Sequence, residues 1–381
     1  MTRRRGDPRP HCHLDRRALL LHSAAATAAL AFGHVQRVEA QPPLNLGALA
    51  ETKGLLFGAS LAVHELDGAH GGQYAALYEQ NARILTSELE FKLSTLRATS
   101  DKLDFADADR LVDFAGQRRM SVRGHTLIWN DDVPAWIKQL SDGDVGLLLD
   151  AHIASVLERY RHRVMFWDVV NEPIGPWDKQ PGNLRDGPFY RALGEGYIAR
   201  AFEKAHAADP NAILVLNEAQ TETADETGKT FRDSLLGLLH RLKMQGVPID
   251  AIGLQSHLRL AAKYDFPAFT AFIEEIAALG FDIHITELDV NDTGIDGGED
   301  RRDAAVAAMY RNFLKAVLHV KAVKVVQTWQ LSDASSWMQD KPTQARMHIR
   351  AHPRPLLFDA SFNRKRAFDA VAEAFAEAPA R

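Results

Sequence analysis

From Gln41 onward, short apolar runs rich in β-branched residues alternate with longer stretches whose apolar positions recur at helical spacing. That alternation is the pattern of repeated βα units around a parallel sheet. Eight such runs occur, at 55–60, 83–87, 121–128, 164–170, 212–216, 251–255, 282–286 and 323–329. Amphipathic stretches separate them, among them 106–119, 145–162, 190–208, 231–245, 267–279 and 302–320. Eight repeats is the number that closes a (β/α)8 TIM barrel, whose active site lies at the C-terminal ends of its strands. The competing doubly wound sheet needs a glycine-rich phosphate turn after its first strand, and Phe57-Gly58-Ala59-Ser60 lacks that spacing. No linker or low-complexity tract divides 41–381, so one domain is expected there.

The first forty residues have a different character. Arg3, Arg4, Arg5, Arg9, Arg16 and Arg17 precede an apolar stretch, 18–32, that is interrupted by His22, Ser23 and Thr27. It is too short and too polar to cross a hydrocarbon core of about 30 Å, so stable membrane insertion is not expected. Arg16-Arg17 before Ala18-Leu19-Leu20 resembles a twin-arginine export signal, and Val38-Glu39-Ala40 suits a small-residue cleavage site. Residues 1–40 are therefore expected to direct export to the periplasm or the medium; an uncleaved start-transfer anchor is the alternative. Their removal would take away Cys12, the single cysteine, leaving no thiol for disulfides, metal ligation or nucleophilic attack. The whole chain carries 45 basic against 50 acidic residues, a balance that recommends neither nucleic acid nor an anionic membrane as a partner.

In such a barrel the polar residues that end apolar strands are the ones to question. The second run ends Thr86-Ser87-Glu88 with Lys92 beyond it, the third contains His125 and precedes Trp129, and the fourth ends Asn171-Glu172-Pro173. Asn217-Glu218, Gln255-Ser256-His257, Thr286-Glu287-Leu288-Asp289 and Trp329 with Asp333 and Trp337 follow. Taken singly, Glu172 or Glu287 is equally an acid placed against the N-terminus of the next helix. Taken together, on strands four and seven, they can meet over the barrel axis. Glycoside hydrolysis requires such a pair: one protonated carboxyl for the leaving oxygen, and one ionised carboxylate to attack carbon or activate water.

Five strings carry a family resemblance: Arg123-Gly124-His125-Thr126-Leu127-Ile128-Trp129, Trp167-Asp168-Val169-Val170-Asn171-Glu172-Pro173, Gly253-Leu254-Gln255-Ser256-His257-Leu258, Ile285-Thr286-Glu287-Leu288-Asp289-Val290 and Pro355-Leu356-Leu357-Phe358-Asp359. In content and order they resemble glycoside hydrolase family 10, the endo-β-1,4-xylanases. The resemblance implies a retaining mechanism with Glu172 as acid/base and Glu287 as nucleophile. It further implies that Asn171 bonds the 2-hydroxyl of the reacting sugar and that His257 with Asp289 holds the nucleophile. Glu88, Lys92, His125 and Gln255 would line the glycone side, and Trp329 with Trp337 would form an aromatic platform. A retaining enzyme places its two carboxyl groups about 5 to 5.5 Å apart.

Trp129, Trp329 and Trp337 fall beside mouth residues and are expected to stack on sugar, whereas Trp136, Trp167 and Trp177 are expected to be packed. His152, His206, His240 and His319 lie within helical stretches, as surface or core residues. No grouping has the spacing of a metal site, so no metal or other cofactor is expected.

Departures from the xylanase pattern collect on the substrate side. Leu89 stands where the family has Asn, Asn130 where it has His, and Gln330 where it has Gly. The fifth strand ends Asn217-Glu218-Ala219-Gln220, without the usual tyrosine, and Arg364-Lys365-Arg366 lacks the usual prolines. The expected substrate is xylan or a related β-glycan. A bacterial exopolysaccharide with another backbone is the alternative, and a barrel that binds glycan without cleaving it is a third reading.

Overall fold

A computed structural model describes residues 44–381. The export-signal reading of 1–40 falls outside those residues. Among them, eight parallel strands form a ring: β1 Leu56–Leu61, β2 Ile84–Ser87, β3 Ser121–Gly124, β4 Phe166–Asn171, β5 Ile213–Glu218, β6 Ala251–Leu254, β7 Asp282–Asn291 and β8 Val323–Thr328. Each pairs with the next in sequence, and β8 returns to β1 with Leu56 opposite Val325, which closes the barrel. Helices lie between successive strands, so each strand is covered outside by helix and inside by the barrel filling, and nearly continuous burial results. No helix of the described residues is long and apolar enough to cross a membrane.

The eight apolar runs are these eight strands, with two differences. The third ends at Gly124 instead of continuing to Ile128, and Ile128–Trp129 form a separate short pairing with β4. A Cβ at Gly124 would sit 2.2 Å from the indole of Trp167, so only glycine permits this approach of β3 to β4. The seventh runs on to Asn291, and its extension pairs with His257–Arg259. The helical stretch at 190–208 is likewise two helices, Pro188–Leu193 and Gly196–Ala208, parted at Gly194, whose φ of 60° is left-handed.

The barrel filling is not wholly apolar. Arg123 is fully buried in the interior, with Nε 3.0 Å from Asp168 Oδ2 and Nη1 3.0 Å from His284 Nδ1. Asp168 Oδ2 also lies 2.9 Å from His125 Nδ1, so this buried charge cluster orients a histidine at the barrel mouth.

A second buried cluster ties the C-terminal segment to the loop after β8. Lys365 Nζ meets Asp333 Oδ2 at 2.8 Å and Asp303 Oδ1 at 3.4 Å, and donates to Arg354 O at 2.9 Å. Burial lifts the Asp333 carboxyl to about 6 against the opposing charge of Lys365. Lys365→Met would keep the bulk and leave buried Asp333 without its cation, while Asp303 keeps Arg354, so we expect a loss of about 3–5 kcal/mol in urea-induced unfolding. An unchanged midpoint would mean the cluster adds nothing net.

Candidate active site

The strand ends converge as a barrel requires. Glu172 follows β4 directly, with φ 49°, and Glu287 lies inside β7, three strands round the ring. Neither begins a helix, so the helix-dipole account of these acids fails: Glu287 is in mid-strand, and Glu172 leads through Pro173 into an irregular loop. Gln220, Ser256 and Gln330, which follow β5, β6 and β8, have positive φ as well. Non-glycine residues hold such conformations only where their surroundings over-determine them, and they collect at functional sites.

One hydrogen-bonded chain joins the two acids. Asn217 Nδ2 donates to Glu287 Oε1 at 2.7 Å and to Asn171 Oδ1 at 2.9 Å. Gln255 Nε2 donates to the same Asn171 oxygen at 3.4 Å and to Glu172 Oε1 at 2.9 Å. Thr286 Oγ1 donates to Asn217 Oδ1 at 2.7 Å, which fixes the orientation of that amide. Asn171, Asn217, Thr286 and Glu287 lie within strands, where register sets their place, and Glu172 and Gln255 each follow a strand directly.

The surroundings of the two acids differ. Glu287 is buried; burial alone would raise its pKa, but the His257 hydrogen bond at 3.2 Å and the charges of His125 and His257 outweigh it and hold the carboxyl below the ordinary value. His257 sits between two carboxylates, with Nδ1 2.9 Å from Asp289 Oδ1. Burial would lower its pKa, yet Asp289 and Glu287 together raise it well above that of an ordinary histidine, which favours the protonated ring. Trp337 donates its indole N–H to Asp289 Oδ2 at 2.7 Å. Glu172 is more accessible and carries the guanidinium of Arg185 on its other oxygen, 3.1 Å away.

Across the mouth, Glu88 is held by one oxygen: Ser60 Oγ donates to Oε2 at 3.1 Å, and Gln330 Nε2 donates to the same atom. Burial pushes Glu88 up to about 7 against the charge of Lys92. Lys92 Nζ lies 5.5 Å from the centre of the Trp129 ring, and the His125 ring stands edge-on to Trp329 at 5.3 Å. Trp329 is only 6% exposed, so it offers an edge more than a broad face, while Trp129 and Trp337 are half-buried.

Three residues depart from the sequence reading. Asn130 is buried and packed against Tyr197 and Gly187, so its replacement of histidine is a packing matter. Trp177, expected to be packed, is 53% exposed, whereas Trp167 is fully buried and Trp136 is half-buried with its N–H on Arg97 O. Arg185 was given no role by its position in the sequence, thirteen residues past Glu172 in a loop, yet it touches that carboxyl. The polar strand end at Asn217 was visible in sequence, but not its bridge between the acids. Among the described residues, no group of three His, Cys, Asp or Glu is arranged to hold a metal ion.

Comparison with known proteins adds four findings. Residues 45–374 match the model of glycosyl hydrolase family 10. Endo-1,4-beta-xylanase 3 of Hypocrea jecorina is 33% identical over 298 residues, which is 78% of this chain and 76% of that protein. Among solved structures, native xylanase 10B from Thermotoga maritima has a TM-score of 0.79 at 29% identity, covering 87% of this chain and 98% of its own. Xylanase 10B from Thermotoga petrophila RKU-1 in complex with xylobiose has a TM-score of 0.78 at 29% identity, covering 90% and 98%.

Proposed function

The chain belongs to glycosyl hydrolase family 10 and is a glycoside hydrolase, and from that membership we propose that it cuts the β-1,4-linked backbone of xylan at internal bonds with retention of configuration. The observation that carries the assignment of roles is the pair of acids, Glu172 and Glu287, linked through Gln255, Asn171 and Asn217 at the mouth of a closed barrel.

Glu287, kept ionised by His257, attacks the anomeric carbon, while Glu172 passes its proton to the glycosidic oxygen as the bond breaks. The products of this step are a free chain end and a glycosyl ester on Glu287. Water then enters, Glu172 takes its proton, and attack at the same carbon releases the sugar and restores both acids. Arg185 supports the charge that Glu172 bears between the two steps. The Asn171 carbonyl oxygen already accepts two hydrogen bonds, which turns its NH2 group to the task of donating to a sugar hydroxyl. This chemistry fits a carboxyl separation of about 5 to 5.5 Å. Residues 1–40 belong to the same proposal as an export signal; N-terminal sequencing of the secreted protein is expected to begin after Ala40.

A second substrate reading has specific support. Leu89 is exposed beside Glu88 on the rim, and Glu88 is tied down by Gln330, so the distal glycone site presents an apolar side chain and a half-committed carboxyl. A polymer whose backbone is not xylose would meet these groups differently. A product profile on xylan, mixed-linkage glucan and the secreted polysaccharide of the producing organism separates the two. We expect oligosaccharides of several lengths from xylan; monosaccharide alone would refute internal cutting, and activity confined to another polymer would favour the second reading.

A further inference from the structure

The loop from Pro173 to Asp186 is pinned throughout. Ile174 N donates to Glu218 Oε2 at 2.9 Å, Gly175 N to Asn183 O at 2.7 Å, and Asp186 N to Asp178 Oδ2 at 2.9 Å. Ile174 and Leu184 form an antiparallel bridge across its base. Glu218 is a fully buried carboxyl between the strand end and this loop, and it also accepts from Ala219 N at 2.8 Å. The loop is therefore a rigid arm and not a flexible tether.

At the tip of that arm an indole faces solvent. Trp177 is 53% exposed, so about half of its indole is free to meet another molecule. Two neighbours back it. The Arg185 guanidinium lies 5.1 Å from the ring centre, and Phe231 meets it at 5.8 Å with a 43° tilt. Arg185 is itself buried, and the same guanidinium is 3.1 Å from Glu172 Oε2. One charged group thus separates the exposed ring from the acid that handles the leaving oxygen. The glycone groups Glu88, Lys92 and His125 come from β2, β3 and the loops after them, whereas this arm follows β4.

We propose that Trp177 is a stacking platform for a pyranose ring on the leaving-group side of the cleavage point, so that the departing end of a β-glycan lies across its open face. The proposal rests on the glycosidase reading above and extends it to the part of the substrate beyond the broken bond. The ring C–H groups of a β-linked sugar present an apolar face that an indole matches, and a preset loop spends little ordering entropy in the contact. The arm thus holds the leaving segment while Glu172 protonates it.

The test compares two substrates in the full-length enzyme and in the Trp177→Ala, Trp177→Gln and Trp177→Phe variants. One is xylohexaose, which extends past the cut on both sides; the other is a nitrophenyl xylobioside, which offers no sugar on the leaving side. For Trp177→Ala and Trp177→Gln, the ratio of kcat/KM on hexaose to that on the aryl glycoside is expected to fall about tenfold. Trp177→Phe should recover most of the ratio, because it restores an aromatic face. The variants should also shift hexaose cleavage towards bonds nearer the reducing end, where fewer sugars need gripping on the leaving side. An unchanged ratio in variants that still hydrolyse the aryl glycoside would overturn the platform and leave the glycosidase assignment standing. A wild-type enzyme inactive on both substrates would instead overturn that assignment, and the platform with it.

Discussion

Exchange of Glu287 for glutamine is expected to lower kcat by about 10⁴-fold or more on any β-glycoside, because the amide removes both the attacking lone pair and the charge on which the first step depends. The change is nearly isosteric, and Asn217 and the His257 side of the pocket can still hold the side chain, so far-UV circular dichroism and the unfolding midpoint should stay close to wild type. His257 loses one of the two carboxylates that raise its pKa, so it should titrate lower in the variant; NMR of its ring protons reads this directly. In the wild type, Glu287 is held below the ordinary carboxylate value, so the acid limb of kcat/KM should lie below the usual carboxylate range, activity falling as Glu287 takes up its proton. A slow 2-fluoro glycoside should leave one sugar on the peptide that contains Glu287. Near-normal turnover in the variant, or a label on another residue, would mean the nucleophile is misassigned.

Glu172→Gln should show a loss that depends on the leaving group. With natural oligosaccharides the departing oxygen needs a proton, and the rate should fall by about 10² to 10⁴-fold. With a dinitrophenyl glycoside the phenolate leaves unaided, so formation of the glycosyl ester should hardly slow. Its hydrolysis still needs a base to activate water, so a burst of phenol followed by a slow steady state is expected from stopped-flow absorbance. Equal losses on both substrates without a burst would remove Glu172 from the acid/base role.

Much of the barrel could be read from the chain because its strands are buried on both faces and so appear as short apolar runs, with turns and amphipathic helices between them. The reading failed where one close contact overruled local pattern. Leu127 looks like more strand, but the run breaks after Gly124, where His125 turns towards Asp168, and pairs again only at Ile128–Trp129. The acids were visible for the same reason as the strands, since a polar residue that ends an apolar run in a barrel has the mouth as its place. What spacing could not show was contact between distant segments. Arg185 against Glu172 and Gln330 against Glu88, the latter 242 residues apart, exist only once the ring is closed. Trp177 was misjudged because nothing local distinguishes a tryptophan that packs from one held out on a braced loop.

The departures from the xylanase pattern lie at different depths. Asn130 is buried under helix Gly196–Ala208, Gln330 is buried against Glu88, and Leu89 is exposed beside it. Gln330 occupies a left-handed position, φ 76°, and the Tyr78 hydroxyl donates to its side-chain oxygen at 3.0 Å. The surrounding bonds thus sustain a conformation that glycine would adopt freely.

Because β8 is hydrogen-bonded to both β7 and β1, the eight-stranded ring of the described residues has no edge strand to which another molecule's backbone could anneal. Segments at the open end can therefore be lengthened or exchanged without creating a template for fibrils. For an engineer this makes the outer part of the arm after β4, beyond the Ile174–Leu184 bridge, a graft site: a replacement that keeps Arg185 against Glu172 would change what the mouth grips, while Glu287 stays anchored in β7.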